Sequence, residues 1–306
     1  MSSRLTLDPI LIIFGFGIGA LVGITGMGGG ALMTPLLVLV FGVQPVTAIA
    51  TDNLYGSITK WFGAWANIKR LTVHLGIAFW LAIGSVPAAI AGVWVIQLLE
   101  RDYGQTQLDQ LVLGILGAAL LVVGAAVFMR AIFLSDVIPE RHAMHLYRRH
   151  KVAAVATGLL TGFVIGLTST GSGTLVAITL ITVFRLTPQR VVGTDLFHGA
   201  VLQGAAGVAY AIAGSVNFVL MTNILIGSIP GVIVGARLAS RVPQGLLRYA
   251  LGTVLTASAI AVLAKEGTAG VVIPTLIVAV ALIAALFGAQ VVLQRQARSP
   301  GRARAG

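Results

Sequence analysis

Apolar residues fill the chain in eleven stretches, at roughly 8–24, 30–43, 46–66, 75–98, 108–130, 152–167, 173–185, 190–213, 217–238, 247–264 and 269–292, and polar residues are largely confined to the gaps. At 1.5 Å per residue, most of these are long enough to cross a hydrocarbon core of about 30 Å as helices. The second and seventh are short: about thirteen residues reach only about 20 Å. The pattern predicts an all-α polytopic membrane protein with broken or short helices at two places.

The pattern is also written twice. Displacing the sequence by 143 positions aligns 15–92 with 158–235 without a gap. Gly15, Gly19 and Gly23 then fall on Gly158, Gly162 and Gly166, Thr51-Asp52 on Thr194-Asp195, GSVP at 84–87 on GSIP at 227–230, and His74 on Asn217. One register kept over that length marks a duplicated unit. The expected division is a first membrane repeat at 1–134, a basic cytoplasmic linker at 135–151 and a second repeat at 152–264. An additional transmembrane helix at 269–292 and a basic cytoplasmic tail at 293–306 follow. Five segments per unit is an odd number, so the second copy enters the membrane upside down.

Charge supports inversion. Lys69-Arg70 follow the third segment, Arg141, Arg148, Arg149 and Lys151 precede the sixth, and Arg185 and Arg190 flank the loop after the seventh. Arg237 and Arg241 follow the ninth, and the Arg-rich tail follows the last. The alternate connections carry no net positive charge, which places the N-terminus outside and the C-terminus in the cytoplasm of a multi-pass cell-membrane protein. The first segment reads as a retained helix, because no small-residue cleavage site follows it.

Composition agrees: 57% of residues are hydrophobic, 9% are charged and the mean hydropathy is +0.98. A soluble domain carries about 25% charged residues. The net charge of +11 lies in loops and tail and builds no basic face for nucleic acid, so the lipid bilayer is the expected partner. The chain has no cysteine and therefore no disulfide or thiol chemistry. Nothing indicates a cofactor, and His142, His145 and His150 lack the carboxylate or cysteine framework of a metal site. No P-loop lysine motif and no spaced nucleophile–base pair point to ATP hydrolysis or another enzyme activity.

The most unusual stretches are GITGMGGGALMTP at 23–35 and GLTSTGSGTLVAI at 166–178. Glycines and hydroxyl residues interrupt greasy segments there, and non-helical backbone at membrane depth is tolerated where it lines a cavity or is buried in protein. A helix starting in such a place presents free N–H groups and a positive dipole end, which suit an anion. Candidate substrate-binding positions are therefore Thr25, Gly26, Gly28, Gly29 and Gly30 in the first phrase and Ser169, Thr170, Gly171, Ser172 and Gly173 in the second. A purely structural crossing of helices is the competing reading. Gly15, Gly19, Gly23 and their partners, spaced by four, are expected to serve close helix packing.

Ionisable residues inside hydrocarbon are costly and mark function by default. Asp52 and Lys60 sit in the third segment, Asp195 and His198 in the eighth. At 100° per residue Asp52, Tyr55 and Thr59 share a face, as do Asp195 and His198, while His198 aligns with Tyr55 and Gln203 with Lys60. Lys60 is a candidate for the anion, with Asp52, Tyr55, Asp195 and His198 for coupling or gating. The alternatives are a structural ion pair of Lys60 with either aspartate, and helix N-caps at Asp52 and Asp195, each of which follows a threonine. Trp61, Trp65, Trp80 and Trp94 read as interfacial anchors.

The paired glycine phrases, TDNLYGSITK at 51–60, VVGTDLFHG at 191–199 and the GSVP/GSIP pair resemble the TauE/SafE sulfite exporter family, over almost the whole chain. The resemblance implies a secondary active transporter of small anions such as sulfite, organosulfonates or related organic and sulfur-containing anions. Its expected partners are the anion and a proton or other coupling ion; an anion channel lined by the same phrases is the alternative. The second phrase departs from the first, with Ser169 and Ser172 in place of glycines and no following proline.

Overall fold

A computed structural model describes residues 7–25, 30–133, 147–238 and 244–264. Among them it contains ten helices and no strand. The first repeat supplies α1 (Pro9–Thr25), α2 (Gly30–Val40), α3 (Pro45–Lys69), α4 (Leu75–Asp102) and α5 (Gln105–Phe133). The second supplies α6 (Arg148–Thr168), α7 (Ser172–Thr182), α8 (Pro188–Ile212), α9 (Phe218–Leu238) and α10 (Gln244–Ala264). Gly26, Gly28 and Gly29, most of the linker with His142 and His145, the eleventh segment and the tail lie outside the described residues.

Helix bounds fall at both glycine phrases. α1 stops at Thr25 and α2 starts at Gly30; α6 stops at Thr168 and α7 starts at Ser172. α2 and α7 have eleven residues each, about 16 Å of helix, half a hydrocarbon core. Shifting the bounds of α3 by 143 gives 188–212, the bounds of α8. Each begins with proline at its first position, where the missing N–H costs nothing.

Packing joins the copies instead of separating them. α1 lies along α9, α6 along α4, and α3 crosses α8. Gly15 meets Ile224 and Gly19 meets Ser228; at the equivalent positions Gly158 meets Leu81 and Gly162 meets Ser85. These glycines let backbones touch, as their spacing predicts. The residue pairs advance together along α1 and α9, so those two helices are parallel. Along α3 and α8 they run oppositely: Leu54 meets Gly207, Lys60 meets Gly199 and Leu196 meets Gly63.

At the middle of that antiparallel crossing the Ser57 hydroxyl donates to the Ala200 carbonyl at 2.9 Å, and these two residues are 143 apart, hence repeat equivalents. Equivalent residues touch each other only beside a two-fold axis. The axis is perpendicular to α3 and α8. Reciprocal bonds bear it out. The His74 N–H donates to Thr194 Oγ1 at 2.9 Å, and the Asn217 N–H donates to Thr51 Oγ1 at 3.1 Å. His74 and Asn217 in turn accept from Ile77 N–H and Leu220 N–H at the starts of α4 and α9.

This corrects one sequence expectation. Asp52 and Asp195 are not helix caps, since α3 and α8 begin seven residues before them. The threonines preceding them instead anchor the start of the other copy's fourth helix.

The surface is apolar and the centre is polar. α4, 105–127 of α5, α6 and 218–235 of α9 are long and apolar enough to cross a membrane. Ile13, Phe79 and Trp94 are more than 60% exposed, an arrangement suited to lipid and not to water. α3 and α8, with 25 residues each, are not among those four; they carry more polar residues, among them Asp52, Asn53, Lys60, Asp195, His198 and Gln203, all buried. Trp61, Trp65 and Trp94 are exposed; Lys69 lies over Trp65 and Lys151 over Trp80, at 5.0 and 4.9 Å from the ring centres. His150 is buried in the first turn of α6, where its Nδ1 accepts from the Tyr147 N–H.

A Cβ at Gly162 would run into the Ser85 carbonyl, whereas one at Gly17 would meet nothing within 4 Å. Gly162→Ala should therefore cost about 1–3 kcal/mol, about 2–4 °C in Tm per kcal/mol. Gly17→Ala should be neutral or stabilising by up to about 1 kcal/mol. Thermal unfolding of the two purified variants checks the pair, and equal effects would contradict the close-packing assignment.

Candidate substrate and coupling site

The site is built around Asp52, in the third turn of α3. Thr34 Oγ1, from the half-length α2, donates to Asp52 Oδ2 at 2.6 Å. Ser169 Oγ, from the break between α6 and α7, donates to the same oxygen at 2.9 Å. One carboxylate thus ties together the interrupted segments of both repeats. Asp52 Oδ1 has no hydrogen-bond partner.

Ser169 is held in a left-handed conformation at φ +60°, costly for a residue with a Cβ. Its N–H donates to the Ile165 carbonyl at 2.8 Å, which ends α6, and its carbonyl accepts from Gln203 Nε2 at 3.2 Å. Gly171 then turns the chain at φ +100°, which glycine adopts without that penalty. Thr170 is buried, with its hydroxyl donating to Thr168 Oγ1 at 3.0 Å.

The second copy offers a different environment. The positions equivalent to Thr34 and Ser169 are Ala177 and Gly26, so Asp195 receives no hydroxyl from them. Lys60 interacts electrostatically with Asp195 foremost and with Asp52 next. Its Nζ lies where a Cβ on Gly199 would approach to 3.0 Å, and its equivalent Gln203 lies against Gly56 in the same way. His198 Nε2 and Ser85 Oγ share a hydrogen bond of 2.8 Å. Its counterpart pairs Tyr55 with Ser228, whose hydroxyl also reaches the Leu225 carbonyl of its own helix at 3.4 Å.

Sequence reading therefore named residues that the fold gathers. Asp52, Tyr55, Lys60, Asp195, His198, Ser169 and Thr170 are all buried at or beside the α3–α8 crossing. Thr25 ends α1, Gly30 begins α2, and Ser172 and Gly173 begin α7. Two participants were missed. Thr34 is an ordinary polar residue with no spacing signal, whereas Gln203 was visible only as the repeat equivalent of Lys60. Ser85 lies in GSVP, whose repetition as GSIP was the available clue.

These features define a polytopic membrane transporter with a buried polar centre shared by two inverted halves. A family model described as "Sulfite exporter TauE/SafE" matches residues 11–262, and the chain belongs to that family. It is 36% identical over 248 residues to a probable membrane transporter protein, YjnA, of Bacillus subtilis, covering 81% of this chain and 96% of that one. It is 28% identical over 267 residues to a probable membrane transporter protein of Xylella fastidiosa, covering 85% and 97% of the two chains. A sulfite exporter TauE/SafE family protein 2 of Arabidopsis thaliana is 30% identical over 104 residues, or 34% of this chain and 22% of that one. No solved structure gives a significant match.

Each hydroxyl bond to a charged group is worth about 1.5–3 kcal/mol. Ser169→Ala should lower thermal stability measurably, and its cost should shrink by about 1 kcal/mol or more in an Asp52→Asn background. Strict additivity in that double-mutant cycle would contradict the bridging role of Asp52.

Proposed function

We infer that this protein is a secondary active transporter that moves small anions across the cytoplasmic membrane, coupled to a cation gradient. Sulfite follows the family description, and organosulfonates and related organic or sulfur-containing anions extend it to the substrate class proposed here. The observation that carries this reading is a carboxylate, Asp52, buried between the broken segments of both repeats. An anion entering beside Asp52 would be repelled unless a positive charge came with it, which makes anion and cation movement interdependent. Lys60 and the N-terminal ends of α2 and α7 in the glycine phrases serve the anion. Asp52, Asp195, Tyr55 and His198 serve coupling and gating.

Burial favours a carrier over a channel. Asp52, Gln203, His198, Ser169 and Thr170 are all at most 1% exposed, so the centre is closed from both sides. The N-terminus lies outside and the C-terminus inside.

Three tests follow. A bound anion raises apparent stability by mass action, so a thermal-shift screen with sulfite, sulfate, thiosulfate, sulfoacetate and simple carboxylates should show a selective rise for one class; no response to any of them would contradict the reading. Lys60→Gln should weaken that response about ten- to a hundredfold with unliganded stability near wild type. Loss of stability rescued by Asp52→Asn or Asp195→Asn would make Lys60 a structural partner instead. Because the chain lacks cysteine, single cysteines at Asn67 and Arg148 should be blocked only from the cytoplasm and one at Gly104 only from outside; labelling of Asn67 and Gly104 from one side would exclude the topology.

A further inference from the structure

Hydrogen-bond acceptors at the polar centre outnumber the donors aimed at them. Asp52 Oδ2 takes the protons of both Thr34 and Ser169. Gln203 directs its NH2 to the Ser169 carbonyl, and that bond fixes which way the amide lies, with its oxygen turned against Gly56, 2.5 Å from where a Cβ would stand. Asp52 Oδ1 and Gln203 Oε1, on side chains with 0% exposure, are then left without any donor. Buried acceptors in that condition call for an explanation.

The two groups are anchored to one residue, Asp52 to the Ser169 hydroxyl and Gln203 to the Ser169 carbonyl, so they stand around one small region. Ser169 caps the C-terminus of α6, the negative end of a helix dipole. Carboxylate, amide oxygen and helix C-terminus all present negative charge there, and the buried ammonium that acts on Asp52, Lys60, is engaged foremost by Asp195. A site meant for an anion would turn the amide NH2 inward; here it is turned away.

We propose that Asp52, Gln203 and the Ser169 turn seat a monovalent metal cation of sodium size, the ion whose gradient drives the anion. This rests on the transport reading above and assigns the coupling ion within it. A single carboxylate with neutral oxygens suits one positive charge, whereas calcium or magnesium sites draw on more carboxylates or on substrate phosphates. Transporters built on discontinuous helices give the N-terminal ends of half-helices to anionic groups and the C-terminal ends to coupling cations. The phrase GLTSTGSG supplies both ends, α6 to the cation and α7 to the anion.

The test uses the full-length protein purified in detergent, with radioactive sodium as the probe, choline chloride as the background salt and no sulfur-containing anion present. Saturable binding is expected, displaced by unlabelled sodium and not by equimolar potassium. Asp52→Asn should abolish it, and Gln203→Met, similar in size but without the oxygen, should weaken it about tenfold or more. No saturable binding to folded wild-type protein, equal displacement by potassium, or wild-type affinity in Asp52→Asn would overturn the assignment. If a variant does not fold, the wild-type competition still decides. Thermal stability that responds to pH and not to sodium would make the proton the occupant and overturn it as well. Anion binding that persists when sodium binding fails leaves the transport reading standing, while sodium binding with no response to any anion removes that reading and not this one.

Discussion

The architecture depends on how one buried carboxylate is kept in a low-dielectric interior. Asp52 cannot be hydrated where it lies, and a carboxylate taken from water is tolerated only when the protein replaces that hydration. The replacement comes from two hydroxyls, Thr34 on α2 and Ser169 at the α6–α7 break, one from each copy of the repeat. Thr34 belongs to a helix too short to cross a membrane alone, and Ser169 to the turn between α6 and the equally short α7. Satisfying Asp52 therefore fixes the broken helices at the centre, and the broken helices create the polar space in which Asp52 has a use.

The two-fold relation explains why such a centre is affordable. Glycine-lined contacts of α1 with α9 and of α6 with α4 brace the bundle on both sides through nearly identical packing. The α3–α8 crossing, pinned by Ser57 and Ala200 at the axis, can then carry polar residues and still remain ordered. Symmetry ends at the chemistry. Thr34 and Ser169 correspond to Ala177 and Gly26, Lys60 to Gln203, and Tyr55 to His198. One scaffold, duplicated, holds two half-sites that have diverged, with hydroxyls around Asp52 and the Lys60 ammonium nearest Asp195.

Most of the fold was legible in the sequence because hydropathy, glycine spacing and charge alternation each report on the membrane directly. The break at 169–171 was legible for a related reason: hydroxyls and glycines crowd a greasy segment there without the four-residue spacing of helix packing. Helix ends were less so; α4 runs on to Asp102 and α6 starts at Arg148 because charged residues can continue a helix past the hydrocarbon. The site was legible in its ionisable members, in Tyr55 and in the hydroxyls of the second glycine phrase. Thr34 matters through where α2 carries it, and no local pattern encodes that; Gln203 showed only as the repeat equivalent of Lys60. The N-cap alternative for Asp52 failed because it weighed the adjacent threonine and not the proline at position 45, which sets where the helix begins.

The claim that a closed, Asp52-centred site moves anions by alternation, and not through a continuous pore, is tested most directly by counterflow in proteoliposomes. Vesicles loaded with an excess of the unlabelled anion should take up trace labelled anion faster than unloaded vesicles and transiently accumulate it, with the membrane potential clamped at zero. Uptake that loading does not accelerate would contradict the account and identify a channel.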